Sequence, residues 1–114
     1  MRIISQNGNV DLPYEKFVFG ITKDNKIACC RECVAPPYEI YNGIIAEYSS
    51  KEKALKAMEM LREQYERLEV FKVLASGATE HMEKSLTYEE LVKYNQLYRE
   101  MNVFQFLKDN EVEV

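Results

Sequence analysis

The chain reads as an α+β domain, an antiparallel sheet of about five to six strands with two helices packed on one face. Turn signals at Asn7-Gly8 and Lys23-Asp24-Asn25-Lys26 each separate two short apolar runs, as in hairpins. Ser49 with Glu52 and Thr87 with Glu90 have capping-box spacing and open the segments with helical periodicity. The remaining apolar runs are short and rich in branched and aromatic residues, as strands are. All 114 residues fit one domain, 1–114, with one core.

In order, Ile3-Ile4-Ser5-Gln6 forms the first arm of a hairpin and Val10-Asp11-Leu12 the second. Pro13 has no amide hydrogen for a ladder and belongs at an edge or bend. Phe17, Phe19 and Ile21 share one face of the next strand, and Ile27-Ala28-Cys29-Cys30 returns beside it. Val34-Ala35-Pro36-Pro37 begins a loop, Asn42-Gly43 ends it, and Ile44-Ile45-Ala46-Glu47-Tyr48 resumes strand character. The first helix covers residues 50–69, with Leu55, Met58, Leu61, Tyr65 and Leu68 inward. Glu52–Lys56 and Glu63–Arg67 are spaced to pair along its outer face. Val70-Phe71-Lys72-Val73-Leu74 reads as a strand, and residues 78–84 as a loop or short turn. Thr87 caps a second helix running to about Met101, with Leu91, Tyr94, Tyr98 and Met101 inward and Leu86 stapled to Leu91. Val103 to Leu107 is a last strand, followed by a solvated acidic tail, Asp109 to Val114.

The composition, 46% hydrophobic and 30% charged, is that of an ordinary globular protein. A net charge of −4 argues against non-specific nucleic-acid binding, which relies on cations along a phosphate backbone. The chain has no run apolar enough for a signal peptide or a membrane span, so a cytoplasmic location is expected. Its three cysteines suit a reducing compartment.

Met1-Arg-Ile-Ile-Ser-Gln-Asn-Gly8, Asp11-Leu-Pro-Tyr-Glu15, the run from Ala46 to Arg62, and Phe104-Gln-Phe with Asp109 to Val114 are distinctive strings. On these pieces the chain resembles a family of small proteins encoded by phages and prophages of Gram-positive bacteria. The resemblance touches both ends and the first helix. It implies a phage accessory protein acting in the cytoplasm of the bacterial host, and it carries no catalytic residues with it.

Cys30-Arg31-Glu32-Cys33 has the gap of a zinc or redox pair, and Cys29 adjoins it. A structural zinc site needs four ligands, and His81 is the only histidine. No second cysteine pair follows, so reduced thiols without metal or other cofactor are expected. Glu89 and Glu90 are accounted for by the helix start, and the four glycines form no phosphate loop. Nothing in the chain requires an enzyme. The loop after the second hairpin is more suggestive, because Arg31, Tyr38 and Tyr41 combine a forked donor with flat aromatic surfaces suited to a contact.

The expected function is therefore binding. The leading expectation is a counter-defence factor that stoichiometrically sequesters a host immune component, either a defence protein or a nucleotide-type signal molecule. The alternatives are an interaction module regulating phage replication or transcription, and a small zinc-binding protein built on the cysteines. A homodimer is expected as well, because a sheet covered on one side leaves an apolar face or edge open.

Overall fold

The opening hairpin forms around the first turn signal. β1 (Arg2–Ile4) and β2 (Asp11–Pro13) pair antiparallel, with Ile3 opposite Leu12. Gly8 takes φ +79°, a conformation that a side chain disfavours. The connection is longer than a two-residue turn. Ser5, buried inside it, accepts from the Val10 amide at 3.0 Å and donates to the Asn7 side chain at 2.7 Å. Pro13 ends β2, an outer strand, where its missing amide hydrogen leaves no gap. The computed structural model describes residues 1–31, 42–85 and 87–114, with the side chains of residues 42 and 76–85 outside that description.

The second hairpin follows the same logic. β3 (Phe17–Ile21) and β4 (Lys26–Arg31) pair antiparallel, with Phe19 opposite Cys29. Asn25 takes φ 62° in the turn, and the Thr22 hydroxyl accepts from the Lys26 amide and donates to Asp24. β5 (Asn42–Glu47) adds to β4, so Asn42 and Gly43, expected to end the loop, already belong to the strand.

The strands do not form one antiparallel sheet of five to six. They form two sheets of three, ordered β2-β1-β6 and β3-β4-β5. After Pro13 the chain makes a 3-10 turn, Tyr14–Lys16, and leaves the first sheet for the second. The free edge of β1 is filled by β6 (Val103–Gln105), which runs parallel to it with Phe104 beside Ile3. A parallel neighbour needs a long crossover, and here the helices provide it.

The helices also differ from expectation. α1 spans Lys51–Ser85 without a break, so residues 70–74 are helix and not strand, and residues 78–84 are not a loop. Val70, Phe71 and Val73 favour strands only as a local tendency. Here Phe71 packs against Tyr94 and Tyr98 of α2 (Tyr88–Met101), with ring centroids 5.0 and 6.0 Å apart, and that contact fits helical spacing. Ser50, not Ser49, accepts the Lys53 amide at the start of α1. Among the described residues the ion pairs within α1 are Lys56–Glu59 and Lys72–Glu69, not the two expected at four-residue spacing. Thr87 caps α2 as predicted, its hydroxyl accepting from the Glu90 amide at 3.3 Å. The Leu86 staple lies outside the described residues.

One hydrophobic cluster joins the layers: Ile3, Leu12, Phe104 and Phe106 on one side, Ile27, Cys29 and Ile45 on the other, and Ala54, Ala57, Leu61 and Leu68 of α1. The alanines bring the helix backbone close to the strands. Leu55, expected inward, stays 47% exposed.

Gln6 ties the two sheets together. A bulge between Ile27 and Ala28 leaves Ile45 as an extra residue on β5, and its carbonyl accepts the Gln6 amide at 2.9 Å. The Gln6 side chain accepts from the Glu47 amide and donates to the carbonyls of Glu47 and Leu107. The tail is likewise not simply solvated. Asp109 accepts from the amide and hydroxyl of Ser49 and pairs with Lys53 at 3.5 Å, while Val112 is buried. The Ser49 bonds outweigh burial and, with Lys53, hold the Asp109 carboxyl below the usual range. Among the described residues no helix is long and apolar enough to cross a membrane.

Candidate functional site

Strand alternation gives the second sheet two unlike faces. Ile27 and Cys29 point into the core with Phe17, Phe19 and Ile21 against them. The opposite positions are Val18, Gly20, Ala28, Cys30 and Ile44, and among the described residues no element covers them fully. Val18 is 56% and Ile44 45% exposed. The register sets Val18 beside Cys30, Gly20 beside Ala28, and Ala28 beside Ile44.

The result is an open apolar trough. Its floor is the glycine and the alanine, and its walls are Val18 and Ile44. Among the described residues a Cβ added to Gly20 would meet nothing within 4 Å, so none of them fills the space over the floor. The bulge helps, because the extra residue turns Ile45 and Ala46 inward together and leaves Ile44 outward.

The electrostatics suit a neutral or apolar ligand. Lys26, on the same strand parity, is held by Asp24 at 3.3 Å and Glu47 at 3.7 Å, so its charge is countered twice. Arg31 ends β4 opposite Phe17, exposed, on the parity of the covered face and not of the trough. Cys30 lines the trough as a free thiol. Cys29 is buried, its thiol 3.6 Å from the Gly43 carbonyl, and burial pushes it up, which keeps it protonated and inert.

Tyr38, Tyr41 and Cys33 lie outside the described residues, as does the side chain of His81 on α1. Of the predicted binding surface of Arg31, Tyr38 and Tyr41, only Arg31 is therefore placed. Among the described residues no three histidine, cysteine or acidic side chains group to hold a metal. The trough itself was missed in the sequence. Its signal is the alternation of small residues, Gly20 against Ala28, on the face opposite Phe19 and Cys29.

Comparison with protein-family models, with curated proteins and with solved structures finds no match to this chain. The description the fold supports is an α+β protein with, among the described residues, two three-stranded sheets and two helices.

Proposed function

We propose that the chain is a binding protein that withholds a host defence protein, seating a ridge of aliphatic or aromatic side chains from that partner in the trough. The supporting observation is the exposed apolar face of the second sheet, with Val18 and Ile44 standing over an open floor at Gly20. A monomer gains nothing from leaving such side chains in water, and a contact that buries them favours association. Among the described residues the trough has no free cation on its own parity, since Lys26 is tied to two acids. That favours a protein over a nucleotide-type signal, whose phosphates need positive charge. The counter-defence role rests on the resemblance to phage proteins. Sequestration needs only affinity and abundance, which a rigid preformed surface supplies.

Gly20→Lys tests the reading without disturbing the fold. The added side chain meets no neighbour, Gly20 is not among the residues at positive φ, and the long cation fills the trough. Bacteria carrying individual defence systems are made to express either form and challenged with phage. Wild type restores phage growth against at least one system, and Gly20→Lys, melting like wild type, does not. Equal rescue by both removes the trough from the contact, and the triple variant Arg31→Ala/Tyr38→Ala/Tyr41→Ala then tests the loop. Failure of the wild type across a broad panel removes the counter-defence role in favour of a regulatory interaction module.

A further inference from the structure

The middle of α1 carries a stripe of apolar and charged side chains beside its buried face, starting at Met60, which still packs against the core, and becoming exposed toward Leu74. Met60, Glu63, Arg67, Val70 and Leu74 follow one another at spacings of three and four residues, the repeat of a helix that packs along another helix. Met60 is half-buried, while Val70 is 60% and Leu74 67% exposed. Phe71 and Met101 of α2 continue the apolar surface beside them, so the stripe forms one wall of a groove between the helices. Neither Glu63 nor Arg67 joins the ion pairs along α1.

We infer that this groove receives the same stripe of a second copy, making a two-fold dimer through antiparallel α1 helices. The order of side chains along the stripe is self-complementary. With the two-fold axis level with Tyr65, Glu63 faces Arg67 of the other copy and Arg67 faces its Glu63. In the same register Met60 faces Val70, and Leu74 lies against the aliphatic stem of Lys56. A central charged layer thus lies between two apolar layers. Charged or polar layers of this kind select register and orientation in helical pairs, because any slip leaves a charge against an apolar side chain. A parallel pairing sets Glu63 against Glu63 and Arg67 against Arg67, so the antiparallel one is chosen. The surface is separate from the trough, and dimer formation leaves the second sheet open. The dimer would present two troughs, and a partner bearing two copies of its epitope would then be held more tightly by linkage alone.

Sedimentation equilibrium on the full chain tests the inference. Wild type is dimeric at micromolar concentration. Glu63→Arg places arginine against arginine, and Arg67→Glu places glutamate against glutamate, so each alone weakens the dimer about tenfold or more. Both positions are exposed, so each variant keeps the wild-type far-ultraviolet circular dichroism. Mixed in equal amounts, the two variants form a heterodimer, since every 63–67 pair across that interface joins opposite charges. A wild type that stays monomeric at high micromolar concentration overturns the inference. So do single variants that dimerise like wild type, or a mixture that remains monomeric.

Discussion

The twin-sheet end of the molecule and the helical hairpin at the other end are stabilised by different means. At the sheet end, the first half of α1 buries Ala54, Ala57, Leu61 and Leu68 against strands from both sheets. Polar groups there are tied across long sequence distances, Gln6 to Leu107 and Ser49 to Asp109. At the hairpin end, α2 has no buried residue, and its contacts to α1 centre on Phe71 with Tyr94 and Tyr98. The radius of gyration is 17.2 Å, against about 13 Å for a compact domain of this length. The excess is the projecting helix: a helix of 35 residues runs about 52 Å, and the longest dimension of the molecule is 52 Å. One helix thus serves two purposes. Where both sheets flank it, its inward side chains are core, and where α2 flanks it, Val70, Val73 and Leu74 stay exposed.

The sharpest contrast lies within α1 itself. Leu68→Ala removes a fully buried side chain and should cost about 2–5 kcal/mol in chemical denaturation. Leu74→Ala, six residues further, should cost less than about 0.5 kcal/mol when measured at concentrations low enough to leave the chain monomeric. Similar costs for the two would mean that the hairpin end is as well packed as the sheet end.

Gln6→Leu removes the side-chain links between the sheets and takes this partner from the Glu47 amide and carbonyl, while the Leu107 carbonyl keeps the Tyr48 hydroxyl and the Gln6 amide keeps the Ile45 carbonyl. The expected loss is about 1–3 kcal/mol. Hydrogen exchange should quicken at Glu47 more than at Ile27, and equal protection in the variant would show that the two sheets are held together without this side chain.

Thr87→Ala should cost about 1 kcal/mol, felt locally as faster exchange through the first turn of α2. An unchanged rate there would move the helix start elsewhere.

The smallest effect is a pH dependence. The Asp109 carboxyl lies below its ordinary value in the folded chain, so the folded state binds fewer protons there than the unfolded one. Its contribution is present above the unfolded value of about 3.9 and is lost as pH falls through the lower folded value. Asp109→Asn should therefore shallow the loss of stability between about pH 5 and pH 2, with no comparable change between pH 6 and 8. By contrast, burial and, less, the nearby Asp109 push the Tyr48 hydroxyl up to about 12, and it donates to the Leu107 carbonyl at 2.8 Å. It stays neutral throughout that range.

Features that depend on a few neighbouring residues were legible in the sequence. Gly8 and Asn25 adopt positive φ in the two turns where the turn signals stand, and Thr87 caps α2. Phe17, Phe19 and Ile21 share a face, and Leu91, Tyr94, Tyr98 and Met101 are the partly buried positions of α2. The α+β class followed from these local signals alone. Of the site, the sequence drew attention to Arg31 but not to the trough, because Gly20, Ala28 and Ile44 become neighbours only through the register of three strands. The division into two sheets, the parallel seating of β6 on β1, the bulge at Ile45 and the continuation of α1 past Val70 were all decided by tertiary contact. Each involves partners that are distant in the chain, as Ile3 is from Phe104 and Gln6 from Leu107. A strand edge offers the same backbone groups to any partner, and a run such as Val70 to Leu74 suits helix or strand until packing chooses. Local propensity differs by less than about 1 kcal/mol per residue, and burial of one large side chain exceeds it.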